Sequence, residues 1–207
     1  HPVAGWHAEL LAVAAVAVIG LVLRGLEAGR KSLWLDEYHS LFLADSNGMR
    51  EIVEKGTNDF HPPLFYWVLS FLRDLAPHDQ RWLPILVGVL ALFPLGSISR
   101  QAGFSPPARI TAAGLLLFAP FQIQYGVELR SYSTLQFFSL CLVWAAVTRE
   151  APAAARCAVF MAVTAVGLHV HYAIAVAVVC IGTARLLVRP HGSLSLPVLV
   201  LAGSAGV

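Results

Sequence analysis

Four short stretches of this chain carry side chains able to do chemistry. Asp36 and Glu37 lie within Ser32–His39, between Trp34, Tyr38 and His39. His61 follows Asp59 and precedes Pro62 and Pro63. Glu128 and Arg130 are framed by Tyr125 and Tyr132, and His169 and His171 form a later pair. Carboxylates suit general-base work, an arginine suits a phosphate, and the aromatic neighbours suit stacking on a sugar ring. Adjacent residues on a helix point about 100° apart, so Asp36 and Glu37 cannot face one atom. One is therefore expected to react and the other to orient it or an arginine. Glu128 is two residues from Arg130, and a plain ion pair between them is the structural alternative. A solvated helix start is the corresponding alternative for Asp36 and Glu37. Imidazole with carboxylate also suits Zn or Mn, so His61, Glu128, His169 and His171 are candidate metal ligands. Because i, i+2 residues do not share a helix face, one of the two later histidines is expected to turn the chain or bond a freed carbonyl.

The elements that must position these groups are apolar. Of 207 residues, 57% are hydrophobic and 13% charged, with a mean hydropathy of +0.70. A soluble domain carries about 25% charged residues, so the composition indicates an all-α polytopic membrane protein. A net charge of +2 gives no basic field for nucleic acid. Cys141, Cys157 and Cys180 sit in apolar runs without ligand or disulfide spacing and read as small core residues. Starting at His1 and stopping inside an apolar run, the chain reads as a piece of a longer protein. The run Ala8–Leu23 lacks a cleavage signal and is expected to be a retained first helix.

Seven apolar runs are candidates for membrane helices: Trp6–Leu26, Trp82–Ser99, Ile110–Gln124, Tyr132–Thr148, Cys157–Val170, Tyr172–Leu187 and Leu194–Val207. An eighth, Pro62–Leu75, offers about eleven apolar residues, roughly 17 Å of helix against a hydrocarbon core of about 30 Å. It is expected to lie along the membrane surface with Phe65, Tyr66, Trp67 and Phe71 at headgroup level. A full crossing is the competing reading. The surface arrangement puts Arg100, Arg109, Arg149, Arg156, Arg185 and Arg189 on one side with Glu150 as the lone acid, which fits the positive-inside rule. The opposite side then holds the loop 27–81, Tyr125–Ser131 and the His169–Tyr172 corner. From Arg24 to Arg81 there are seven basic and nine acidic residues, against ten charged residues elsewhere. Within that loop, Asn47–Lys55 has the i, i+3, i+4 pattern of a short amphipathic helix through Met49, Ile52 and Val53.

Three motifs in order, Leu-Trp-x-Asp-Glu, His-Pro-Pro-Leu-Phe-Tyr-Trp and Tyr-x-x-Glu-x-Arg-x-Tyr, resemble the glycosyltransferase family 39 type. These are GT-C integral-membrane enzymes related to protein O-mannosyltransferases and the lipid A aminoarabinose transferase. The resemblance covers residues 1–207 as one truncated N-terminal module. It implies about seven transmembrane helices and two juxtamembrane surface helices within the first outer loop, 27–81. It also implies inverting transfer of a sugar from a polyprenyl-phosphate donor to a hydroxyl of a protein, lipid or glycan acceptor at the outer face of the plasma membrane. Asp36 matches the family's catalytic aspartate, with Glu37 beside it. Substrate contacts are implied for His39, Lys55, His61, Tyr66, Arg81, Glu128, Arg130 and Tyr132, with a divalent metal as an optional cofactor. A transporter or flippase for lipid-linked sugars, and a non-catalytic scaffold of the same fold, are the alternatives. Acids gathered at one surface, with helix interiors nearly free of charge, favour the transferase.

Overall fold

The computed structural model describes residues 2–57, 61–148 and 151–187, with side chains described from His7 onward. The run Leu194–Val207, and with it Asp59, Arg149, Glu150 and Arg189, lies outside the described residues. Every regular element among those described is helical. In chain order they are α1 (Pro2–Arg30), α2 (Leu35–Ala44), α3 (Met49–Lys55), α4 (Leu64–Ser70), α5 (Pro77–Gln80), α6 (Trp82–Leu90), α7 (Leu92–Gln101), α8 (Pro106–Phe118), α9 (Pro120–Gly126), α10 (Tyr132–Val147), α11 (Ala153–Leu168) and α12 (Ile174–Leu187).

Two helical stretches are long and apolar enough to cross a membrane, His7–Arg30 and Pro77–Gln101; the second is the near-continuous run of α5, α6 and α7. Helices α10, α11 and α12 are apolar but shorter. Helix α10 is the hub of the bundle, packing on α6, α7, α11 and α12, while α1 packs on α6 and α8. Polar pairs mark both ends of α1. Near its start Glu9 receives hydrogen bonds from Nε and Nη2 of Arg109, and just past its end Lys31 and Arg81 meet Glu128 and Glu37. At 1.5 Å per residue, Glu9 and Arg30 are about 31 Å apart along the axis, close to the thickness of a bilayer core.

Proline decides where several helices start and stop. The apolar run Ile110–Gln124, expected as one helix, is two, because Pro120 has no N–H for the carbonyl of Leu116 and its ring opposes continuation. Ala119 is extended at ψ 138° between α8 and α9. The double proline places the start of α4 at Leu64, and the α-helix ends at Ser70, after which turns carry the chain to Pro77.

A single apolar core gathers the segments that bear the polar motifs. Leu43 and Ala44 of α2, Ile52 of α3, Phe65, Tyr66 and Leu69 of α4, Leu129 and Val170 are all buried in it. Phe65 and Tyr66 therefore face protein, not headgroups as the sequence suggested. Phe71 is exposed and meets Trp67 edge to face at 5.1 Å. With α4 only seven residues long, its apolar face is needed to cover α2, since α2 and α3 cannot enclose a core alone.

Candidate functional site

The chemistry-bearing residues meet where α2, the α9–α10 connection, the residues before α4 and the α11–α12 corner converge. Asp36 and Glu37 occupy the first turn of α2, where free N–H groups and the helix dipole favour carboxylates. Their fates differ completely. The Glu37 side chain has no exposed surface and is gripped by Arg81, with Nε at 3.0 Å from Oε1 and Nη2 at 2.8 Å from Oε2. The Leu129 backbone N–H also donates to Glu37 Oε1 at 3.0 Å. Arg81 in turn donates through Nη1 to the carbonyls of Ala28 and Lys31, and through Nη2 to that of Ser32. Ala28 lies in the last turn of α1, where acceptors lose their helical donors, and Lys31 and Ser32 follow directly, so Arg81 closes that helix. One buried pair thus joins α1, α2, α5 and the loop before α10.

Asp36 remains 39% exposed, and its Oδ2 lies 3.8 Å from Nη2 of Arg130, close enough for attraction but beyond a hydrogen bond. Arg130 is 7% exposed, and the same Nη2 is 3.2 Å from Nε2 and 3.4 Å from Nδ1 of His61. The His61 ring meets His171 edge to face, with centroids 5.5 Å apart and planes at 85°. His171 Nδ1 accepts the Ala173 N–H at 3.1 Å, and burial, then the charges of His61 and Arg130, lower its pKa. This quartet assembles because the Leu64 N–H, a free donor at the start of α4, donates to the His169 carbonyl at 3.0 Å. That bond locks the His-Pro-Pro segment onto the α11–α12 corner.

The remaining candidates lie elsewhere. Glu128 pairs not with Arg130 but with Lys31, at 2.6 Å. Its other oxygen is buried without a hydrogen-bond partner. His169 Nδ1 meets the Ala165 carbonyl at 2.8 Å, the freed-carbonyl role open to one of the two histidines. Among the described residues no group of three or more His, Cys, Asp or Glu gathers in metal-binding geometry. The set His61, Glu128, His169 and His171 does not fit a divalent ion, because Glu128 and His169 are turned to Lys31 and Ala165. Lys55 is drawn away to Glu51 at 2.9 Å and to the Asp45 carbonyl, over the Phe42 ring. Tyr66 is core, Arg81 is consumed by its pair, and His39 is half-buried on α2. Tyr132 is edge-on to Tyr125 at 5.3 Å and lines a separate cavity with it.

Two participants are legible only in three dimensions. Lys31 carries no motif signal, and Arg24 looks like an interruption of the first apolar run. The clue in hindsight is a charge placed six residues before the end of an apolar helix, ahead of Glu27 and Arg30.

Among the described residues the fold is all-helical, and the site sets a partly exposed carboxylate beside a buried guanidinium. Comparison with protein-family models, with curated proteins and with solved structures finds no match to this chain.

Proposed function

We propose that this chain is the N-terminal module of an inverting GT-C-type glycosyltransferase, working at the outer membrane face on a polyprenyl-phosphate-linked sugar. In this reading about seven helices cross the bilayer, α1 and α5–α7 among them, while α3 and α4 lie at its surface in the outer loop. Asp36, Arg130, His61 and His171 share the outer side, and the Glu9–Arg109 pair marks the inner one.

The observation that carries the proposal is the division of labour between adjacent carboxylates. Glu37 accepts three hydrogen bonds from Arg81 and Leu129 and has no exposed surface, so it cannot reach a substrate. Asp36 is partly exposed and held near, but not against, a cation. Such a carboxylate can take the proton of an acceptor hydroxyl as that oxygen attacks the anomeric carbon. The new carbon–oxygen bond forms on the face opposite the leaving group, inverting the centre. The bond from the anomeric carbon to the phosphate oxygen breaks, and its electron pair leaves with the prenyl phosphate. Arg130, supported by His61, is the charge nearest the base and would stabilise the departing phosphate.

Replacing Asp36 with Asn in the full-length enzyme tests the assignment. Prenyl phosphate release on mixing donor and acceptor should collapse while the protein stays folded; unchanged release would refute it. A flippase would carry lipid-linked sugar across vesicles without releasing phosphate, and a scaffold would do neither.

A further inference from the structure

Arg24 lies six residues inside α1, about 9 Å below Arg30, and its side chain is wholly buried. Its Nη2 donates to the Leu116 carbonyl at 3.1 Å and reaches that of Leu117 at 3.5 Å. Those acceptors are orphaned by the α8–α9 break at Pro120. Its Nε and Nη1 have no hydrogen-bond partner, and no carboxylate among the described residues pairs with it. A buried cation without a counter-charge is costly, by several kcal/mol per ion. Two glycines make room for it: a Cβ on Gly88 would stand 2.4 Å from Nη1, and one on Gly126 2.9 Å from Cζ and Nη1.

Gly126 and Ser133 also line a cavity of about 340 Å³ between α9 and α10, together with Gln122, Tyr125, Tyr132 and Gln136. Gly126 borders both, since its backbone lines the cavity and the position of its missing Cβ is in contact with the Arg24 guanidinium. The lining offers amides and hydroxyls and no carboxylate, and an exposed apolar ring, Phe121, stands at the mouth. Neutral donors around a fixed cation suit a group with several acceptor oxygens and full negative charge. We propose that this cavity is a second anion site, distinct from Asp36 and Arg130, which takes a phosphate group with Arg24 as its counter-charge. The proposal concerns binding alone and does not rest on the role of Asp36.

Thermal unfolding of the full-length protein in detergent, titrated with a short prenyl phosphate, the matching prenol and inorganic phosphate, tests it. Prenyl phosphate should raise the midpoint and prenol should not. A matching rise with inorganic phosphate identifies the occupant as free phosphate, and its absence a lipid headgroup; either outcome supports an anion site. Arg24→Gln should weaken the effect at least about tenfold. If Arg24→Gln does not fold, Gln136→Trp fills the cavity from α10 without touching the Leu116 bond and should do the same. Arg50→Gln, at an exposed residue of α3 that pairs with Glu54, should leave the titration within about twofold. No response to either phosphate, an equal response to prenol, or a response lost in Arg130→Gln and kept in Gln136→Trp would overturn the proposal.

Discussion

Glu37 and Arg81, 44 positions apart in the chain, form a two-pronged ion pair with almost no exposed surface, and Arg81 simultaneously closes the end of α1. Removing one partner strands a buried charge, which typically costs about 3–5 kcal/mol. Glu37→Gln should therefore lower unfolding stability in detergent by that order. Arg81→Lys should also be destabilising, because an ammonium cannot bridge both carboxylate oxygens and three carbonyls at once. Chemical unfolding of the two variants beside the parent reads both effects.

Asp36→Asn should behave in the opposite way. Its side chain is partly exposed and lies 3.8 Å from Arg130 without a hydrogen bond, so stability should fall by no more than about 1 kcal/mol. Turnover should fall by about 10²–10⁴-fold, the usual contribution of a positioned general base. A variant that loses stability and keeps turnover would reverse the two roles.

The His171 imidazole is held below its ordinary value of 6.5 by burial, reinforced by His61 and Arg130. The unfolded chain then binds a proton more readily than the folded one between the depressed value and 6.5. Stability linked to this group is complete above the unfolded value and is lost as pH falls through the folded one. Unfolding curves taken from about pH 7 down to about pH 5 should show this loss, and His171→Phe should flatten it.

Two glycine substitutions should diverge. A methyl at Gly126 meets the Arg24 guanidinium, so Gly126→Ala should cost about 1–3 kcal/mol by overpacking. Nothing stands within 4 Å of a Cβ at Gly29, so Gly29→Ala should be neutral or gain up to about 1 kcal/mol from helix propensity. Thermal midpoints of both variants suffice.

Membrane topology can be checked chemically. In a background lacking the three native cysteines, Tyr38→Cys and Tyr172→Cys should react with an impermeant maleimide applied from outside. Phe104→Cys, between α7 and α8, should not. All three positions are exposed on the protein. Labelling of 38 and 172 from opposite compartments would break the proposed arrangement.

Much of the architecture follows from composition and periodicity. An apolar chain with so few charges can satisfy its backbone in helices, and the helical class was legible for that reason. Proline marked the start of α4, although the same residue type at position 120 splits a run that apolar content alone presents as continuous. The amphipathic reading of α3 held for Ile52, which is buried, while Val53 is exposed.

Partnerships, by contrast, were beyond the one-dimensional pattern. Sequence proximity favoured Glu128 with Arg130, yet Lys31 takes Glu128, and Arg130 turns to Asp36 and His61. A side chain's partner depends on which segments a shared core brings together, and here Leu129, Val170, Tyr66 and Leu43 do so. Residue types and order determined by themselves that the chain is helical, apolar and carries acids in clusters. Only tertiary packing decided which acid was buried against an arginine and which was left open, because burial and charge pairing arise between elements distant along the chain.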